Sequence, residues 1–183
     1  MRDFLYSEIA NFHGIPNIPA KPDIAIEVGK RLCEELLEPL SATFGRIAIR
    51  SAYRSRKVND FGNKHKYSCG SSEANRAGHI WDEVDVADKK GATACIVVPW
   101  FADRYEKGAD WRKLAYWVHD HLPYASLEFY PKLAAFNISW HEHPPERFIY
   151  SYVEPLGYLA IDKVGNKPYS KWYKDFPRFR SKP

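Results

Sequence analysis

The sequence predicts an α+β domain, and three observations carry that expectation. The first is a helical stripe: apolar residues recur at Val28, Leu32, Leu36 and Leu40, with Cys33, Leu37 and Phe44 beside them. The second is a run of short segments with strand character at 79–86, 93–98, 126–130, 135–141 and 148–153. The third is size. A chain of 183 residues, 45% of them hydrophobic, matches one domain and is long enough to bury a core.

Each element has its own signal. Past the Pro-rich opening Gly14-Ile15-Pro16-Asn17-Ile18-Pro19, Pro22 and Asp23 suit the first turn of a helix and Gly45 its end, so one long helix is expected from 22 to 44. Pro39 lacks an amide hydrogen and is expected to kink or shorten the last turn. Ile47 and Ile49 alternate with Arg46, Ala48 and Arg50, a strand pattern that runs into Ser51-Ala52-Tyr53-Arg54. The Lys-, Asn-, Ser- and Gly-rich stretch 56–74 reads as a polar loop. A second helix is expected near Asp110 as N-cap, with Trp111, Leu114, Ala115 and Val118 on one face. A long N-terminal helix, an antiparallel sheet and helices set to one side make up the α+β arrangement.

Cys33, Cys69 and Cys95 are odd in number and have no Cys-x-x-Cys spacing, so neither a disulfide framework nor a thiolate zinc knuckle is suggested. Cys33 and Cys95 stand in apolar runs that suggest burial, and Cys69 in a polar loop. No apolar stretch reaches a membrane span, and Met1-Arg2-Asp3-Phe4-Leu5-Tyr6-Ser7-Glu8 carries acids where a signal peptide has a basic start, so the expected location is cytoplasmic, with no membrane partner. The net charge of +4 is concentrated at the C-terminus: residues 163–183 hold seven Lys or Arg against one acid, Asp175. Residues 1–162 are read as a single domain, and 163–183 as a basic segment whose Tyr169, Trp172, Tyr173, Phe176 and Phe179 pack along its surface.

Two motifs bear on chemistry. Ser51-Ala52-Tyr53-Arg54-Ser55 followed by Asn59 resembles the Ser-Gly-Tyr-Arg-Ser segment of the zinc D-alanyl-D-alanine carboxypeptidase and endolysin family, which has the Hedgehog/DD-peptidase fold. Asn75-Arg76-Ala77-Gly78-His79-Ile80-Trp81-Asp82 resembles that family's Ser-x-His-x-x-Gly-x-Ala-x-Asp motif. Asn17-Ile18-Pro19, Leu36-Leu37-Glu38-Pro39-Leu40 and Phe44-Gly45 also sit where the family places its leading helix and first strand. The similarity is dense from about 15 to 82 and weaker beyond.

The resemblance implies two His and one Asp on zinc, a Glu as general base on the metal-bound water, and an Arg facing the substrate or the developing oxyanion. Arg54 fits the arginine role and Glu128, in Leu127-Glu128-Phe129-Tyr130, the base. Gly78 and Asp82 match, but Asn75 and Asn137 stand where the family has its zinc-binding histidines. An amide oxygen is a poor zinc ligand and Asp82 alone cannot hold the metal, so the expected cleft, with Tyr53, Ser55, Asn75, Asp82 and Asn137, is a ligand-binding one without zinc. Were zinc retained, Asp82, His79 and His141 would be the relocated ligands. Strand alternation, however, points His79 away from Asp82, and His141 lies about 13 Å along its strand from Asn137. An alignment of Trp140-His141 with the Trp-His of the dipeptidase branch restores one ligand but puts Ile138 where the Glu belongs.

Three functions follow. The first is a diverged carboxypeptidase-like or endolysin-like domain that binds a small-molecule or peptide ligand, peptidoglycan-derived by the resemblance, or performs other chemistry in the old cleft. The second is an active zinc peptidase with relocated ligands. The third is a protein that binds nucleic acid or another anionic polymer through its basic aromatic tail. No Gly-rich phosphate loop, Gly-x-Ser-x-Gly elbow or His-Glu-x-x-His helix is present.

Overall fold

A computed structural model of the chain describes residues 2–144, 146–162 and 169–181. Two short helices, α1 (Arg2–Leu5) and α2 (Glu8–His13), precede the long helical stretch, and Ser7 caps α2 by accepting from the Ala10 amide. The stretch expected at 22–44 is continuous but not uniformly α-helical: α3 (Pro22–Leu32) passes through a π turn (Cys33–Leu37) into α4 (Glu38–Phe44). The Glu38 amide bonds to the Cys33 carbonyl, five residues back. Placing this wider turn just before Pro39 absorbs the missing donor, so Pro39 widens the preceding turn and the helix runs on. Gly45, at φ 83°, ends α4 as its sequence position suggests.

The sheet is six-stranded and mixed, in the order β1 (Ala48–Ser51), β2 (Gly91–Val97), β4 (Phe136–His141), β3 (Ser126–Phe129), β5 (Arg147–Ser151), β6 (Gly157–Asp162). An all-antiparallel sheet was expected. The chain leaving β4 steps over β3 to form β5, which therefore runs parallel to β3 while every other pair is antiparallel. Strand β6 had no counterpart in the sequence reading.

Three other segments differ from expectation. Residues 56–64 form a helix, α5 (Arg56–Lys64), with Ser55 as its N-cap, because Val58, Asn59 and Gly62 share one buried face. Helix α6 (Pro99–Tyr105) was also unforeseen, whereas α7 (Arg112–His121) lies where a helix was expected. Its N-cap, however, is Trp111, without a side-chain cap, and Asp110, expected in that role, stands one residue earlier with Oδ1 accepting from the Arg112 amide. Segment 79–86 is a set of turns, not a strand, and keeps only an isolated bridge between Arg76 and Ile80. The Asn75 carbonyl accepts from both the Gly78 and Ile80 amides, so local turns take the donors that a ladder would have used.

Alternation along the strands divides the sheet into two faces. Ala94, Ile96, Leu127, Phe129, Phe136 and Ile138 point into the main core, where Val28 and Leu32 of α3 and Leu114 and Val118 of α7 cover them. The opposite face carries one polar row in register across four strands: Ser51 opposite Cys95, Cys95 opposite Asn137, Asn137 opposite Glu128. Cys33 and Cys95, expected inside, are half-buried; Cys69, expected exposed, is buried.

The tail was expected to pack along the surface, and its described part, 169–181, lies against the body. Tyr169 stacks on Tyr116 at 4.1 Å, and Phe176 sits edge-on to Phe44 and Trp100. Phe179 packs on Trp117, the Tyr173 hydroxyl donates to Asp120, and Lys113 pairs with Asp175. Residues 163–168 and 182–183 lie outside the described residues.

Candidate functional site

Over the polar face lies an open groove of about 1400 Å³. Its floor is the strand row together with Arg54 and His79, and Asn75 lies at one side.

Arg54 follows directly from β1. Asn17 fixes that segment: its Nδ2 donates to the carbonyls of Leu5 and Tyr53, and its Oδ1 accepts from the Ser55 amide at 2.7 Å. The Arg54 amide donates to the His79 carbonyl, and Nη1 donates to Cys69 Sγ at 2.8 Å. The guanidinium forms no ion pair with any described carboxylate, and its Nε is buried without a hydrogen-bond partner. A half-buried cation that no carboxylate among the described residues neutralises is suited to an anionic group from outside.

His79 lies beside it. The carbonyl of Ala52, 2.8 Å away, fixes a proton on Nδ1, which leaves Nε2 as an acceptor. Burial, reinforced by the Arg54 charge, pushes its pKa down to about 3, so the imidazole is neutral at ordinary pH.

Glu128 and Asn137 meet across the β3–β4 ladder, where Asn137 Nδ2 donates to Glu128 Oε2 at 2.8 Å. The Tyr130 hydroxyl adds a longer bond to the same oxygen and accepts from Asn137 at 3.0 Å. Burial, and then the Glu128 charge, raise the Tyr130 pKa and keep it a proton donor. Burial likewise lifts the Cys95 thiol to about 11, so it is not a thiolate nucleophile at neutral pH. The floor thus offers a cation, a neutral imidazole acceptor, a carboxylate and a phenol.

Arg54, Asn75, His79, Glu128 and Asn137 converge on this groove, whereas Tyr53, Ser55, Asp82 and His141 do not. Tyr53 is a core residue packed near Trp81, with its phenol pKa raised by burial and by the Asp82 charge. Ser55 is spent on capping α5. Asp82, 4% exposed, accepts from the Ala20 and Lys21 amides at 2.7 and 3.3 Å. Its carboxylate thereby anchors the two residues that lead into α3, whose N-cap Lys21 makes no side-chain cap of its own. His79 lines the groove and Asp82 does not, and because 79–86 is a set of turns this separation comes from the turns and not from strand alternation.

His141 bonds to Asp85 at 3.1 Å, with its other nitrogen accepting from the His143 amide. The relocated ligand set Asp82, His79 and His141 is therefore not assembled, and among the described residues no three His, Cys, Asp or Glu are grouped to hold a metal. Asn75 and Asn137 bring only neutral amides to the groove, which are poor zinc ligands, so the donors present there do not fit zinc.

Sequence reasoning missed Cys95, Tyr130 and the aromatic residues along the groove's sides. Tyr130 was within reach of the two-residue strand period from Glu128, and Cys95 needed only the β2–β4 register. Comparison with family models, with curated proteins and with solved structures gave no match in any of the three.

Proposed function

We propose that the groove binds a peptide ligand by its carboxyl end, as a diverged relative of the D-alanyl-D-alanine carboxypeptidase and endolysin domains that works without their zinc site. The observation that carries this reading is Arg54, a half-buried guanidinium on the groove floor with no carboxylate partner among the described residues. A terminal carboxylate satisfies it by charge-assisted hydrogen bonds, while His79 Nε2 and Glu128 accept ligand N–H groups. The Ser-Ala-Tyr-Arg-Ser resemblance supports the family, and with it a peptidoglycan stem peptide as the ligand. Nothing comparable supports a relocated zinc site, whose ligands are apart. The tail offers less to a nucleic acid, since Tyr169, Tyr173 and Phe176 pack on the body and only Trp172 and Phe179 keep an exposed face.

The test is a calorimetric titration of the full chain, in chelator, with a peptide ending in D-alanyl-D-alanine. Saturable binding that Arg54→Gln weakens by at least tenfold, and that amidating the ligand's carboxylate also weakens, is the expected result. Equal affinity for the acid and the amide contradicts the role given to Arg54.

A further inference from the structure

The two sides of the groove carry exposed aromatic rings. On one side stand Tyr6, Phe12 and Tyr67, 51%, 84% and 45% exposed, with His13 among them. They come from the α1–α2 region and from the turn after α5. His13 ties the wall together: its ring lies 4.9 Å from Phe12 and 5.6 Å from Tyr67, and its Nε2 meets the Tyr67 hydroxyl at 3.1 Å. On the other side, beyond the ends of β3 and β5, Tyr130 and Tyr152 stack at 5.3 Å with only 6° between their planes, and Tyr152 is 50% exposed.

Leaving this much apolar ring surface in water is unfavourable, and gathering it along one groove marks a binding surface. We infer that these two walls are sugar-stacking platforms and that the groove takes an oligosaccharide of amino-sugar units, the glycan portion of the ligand whose peptide portion meets Arg54. The inference rests on the function proposed above.

Three features favour this occupant. A pyranose ring has an apolar C–H face that stacks on an aromatic ring, and a rim of hydroxyl and acetamido groups that needs planar polar partners. The groove pairs the aromatic walls with such partners at Asn75, Glu128 and Asn137. Its volume of about 1400 Å³ exceeds the roughly 300–1,000 Å³ of ordinary small-ligand pockets and suits several linked units. The charged lining residues Arg50, Arg54 and Lys66 are nearly balanced by Glu8 and Glu128, which suits an uncharged chain better than a nucleic acid strand.

The experiment titrates the full chain with a β-1,4-linked N-acetylglucosamine tetramer, following intrinsic fluorescence and calorimetry at two salt concentrations. Saturable binding that changes less than twofold with salt is expected. Phe12→Ala, Tyr67→Ala and Tyr152→Ala should each weaken it at least fivefold, whereas Tyr152→Phe, which keeps the ring, stays within twofold of the original. Phe12 is so exposed that its removal leaves the fold intact, which guards the test against misfolding. Arg54→Gln should weaken the D-alanyl-D-alanine peptide at least tenfold and the tetramer by much less. Peptide binding without tetramer binding overturns the sugar platforms and leaves the proposed function standing; tetramer binding without peptide binding does the reverse. Wall substitutions without effect on the tetramer, or tight salt-sensitive binding of a single-stranded oligonucleotide in its place, also overturn the inference.

Discussion

The two faces of the central sheet are made by the same strands and do opposite work. On β4, Phe136 and Ile138 are fully buried under the helices, while Asn137 between them looks into the groove and bonds Glu128. The core face is filled by apolar side chains whose value is their volume. The groove face keeps polar groups that the chain pairs only in part, as with the unpartnered Nε of Arg54. The difference teaches that position relative to the sheet decides whether a motif residue serves stability or binding. His79 and Asp82 show it within three residues: one reaches the groove, and the other holds the start of α3.

The largest expected effect breaks the core face. Phe136→Ala should cost about 3–5 kcal/mol, because it removes a buried ring that stacks on Phe129 at 4.7 Å and leaves a cavity. Cys95→Ser, one strand away on the groove face, should cost no more than about 1 kcal/mol. Chemical denaturation of both variants measures the contrast, and comparable losses would erase the distinction between the faces.

Next comes Asp82. Asp82→Ala strips the Ala20 and Lys21 amides of their acceptor and should cost about 2–3 kcal/mol, with peptide affinity unchanged where the protein remains folded. A loss of affinity with full stability would return Asp82 to the binding site. Phe176→Ala should lower stability by about 2 kcal/mol, since the ring contacts Phe44, Trp100 and Phe101 but is only half-buried. Thermal melts of this variant gauge how far the tail belongs to the core.

The smallest effect is a pH dependence. The folded state holds His79 neutral down to about pH 3, whereas the unfolded chain takes the proton near 6.5. Between those values the unfolded state binds more protons, so stability is complete above about pH 6.5 and falls as the pH drops through that window. At pH 5.5 the loss should be about 1 kcal/mol. His79→Gln should remove this component, leaving the acid loss to carboxylates such as Glu83 and Asp85, whose lowered pKa values act below about pH 4.5.

Much of the groove was legible through the motif resemblance, which singled out Arg54, Asn75, Glu128 and Asn137; strand alternation then accounts for Glu128 and Asn137 sharing the face opposite the core. Segment 79–86 was not, because its turns, closed on the Asn75 carbonyl, look like an apolar strand when only hydrophobicity is read. Helix α5 was hidden by its few apolar residues, since its buried face includes Asn59 and Gly62. The aromatic walls were illegible for another reason: Tyr6, Phe12, Tyr67 and Tyr152 are far apart in sequence and meet only through tertiary packing. The mixed sheet depended on which side of β3 the fifth strand would take, a choice that local pattern does not encode.

The most direct test of the account is a map of amide chemical-shift changes on the isotope-labelled full chain, titrated in chelator with a stem peptide ending in D-alanyl-D-alanine. Binding in the Arg54 groove should give saturable shifts at Arg54, Asn75, His79, Cys95 and Asn137, with Asp82 and the Asp85–His141 pair undisturbed. Shifts centred on Asp82 or His141, or shifts that arise only when zinc is added, would contradict it.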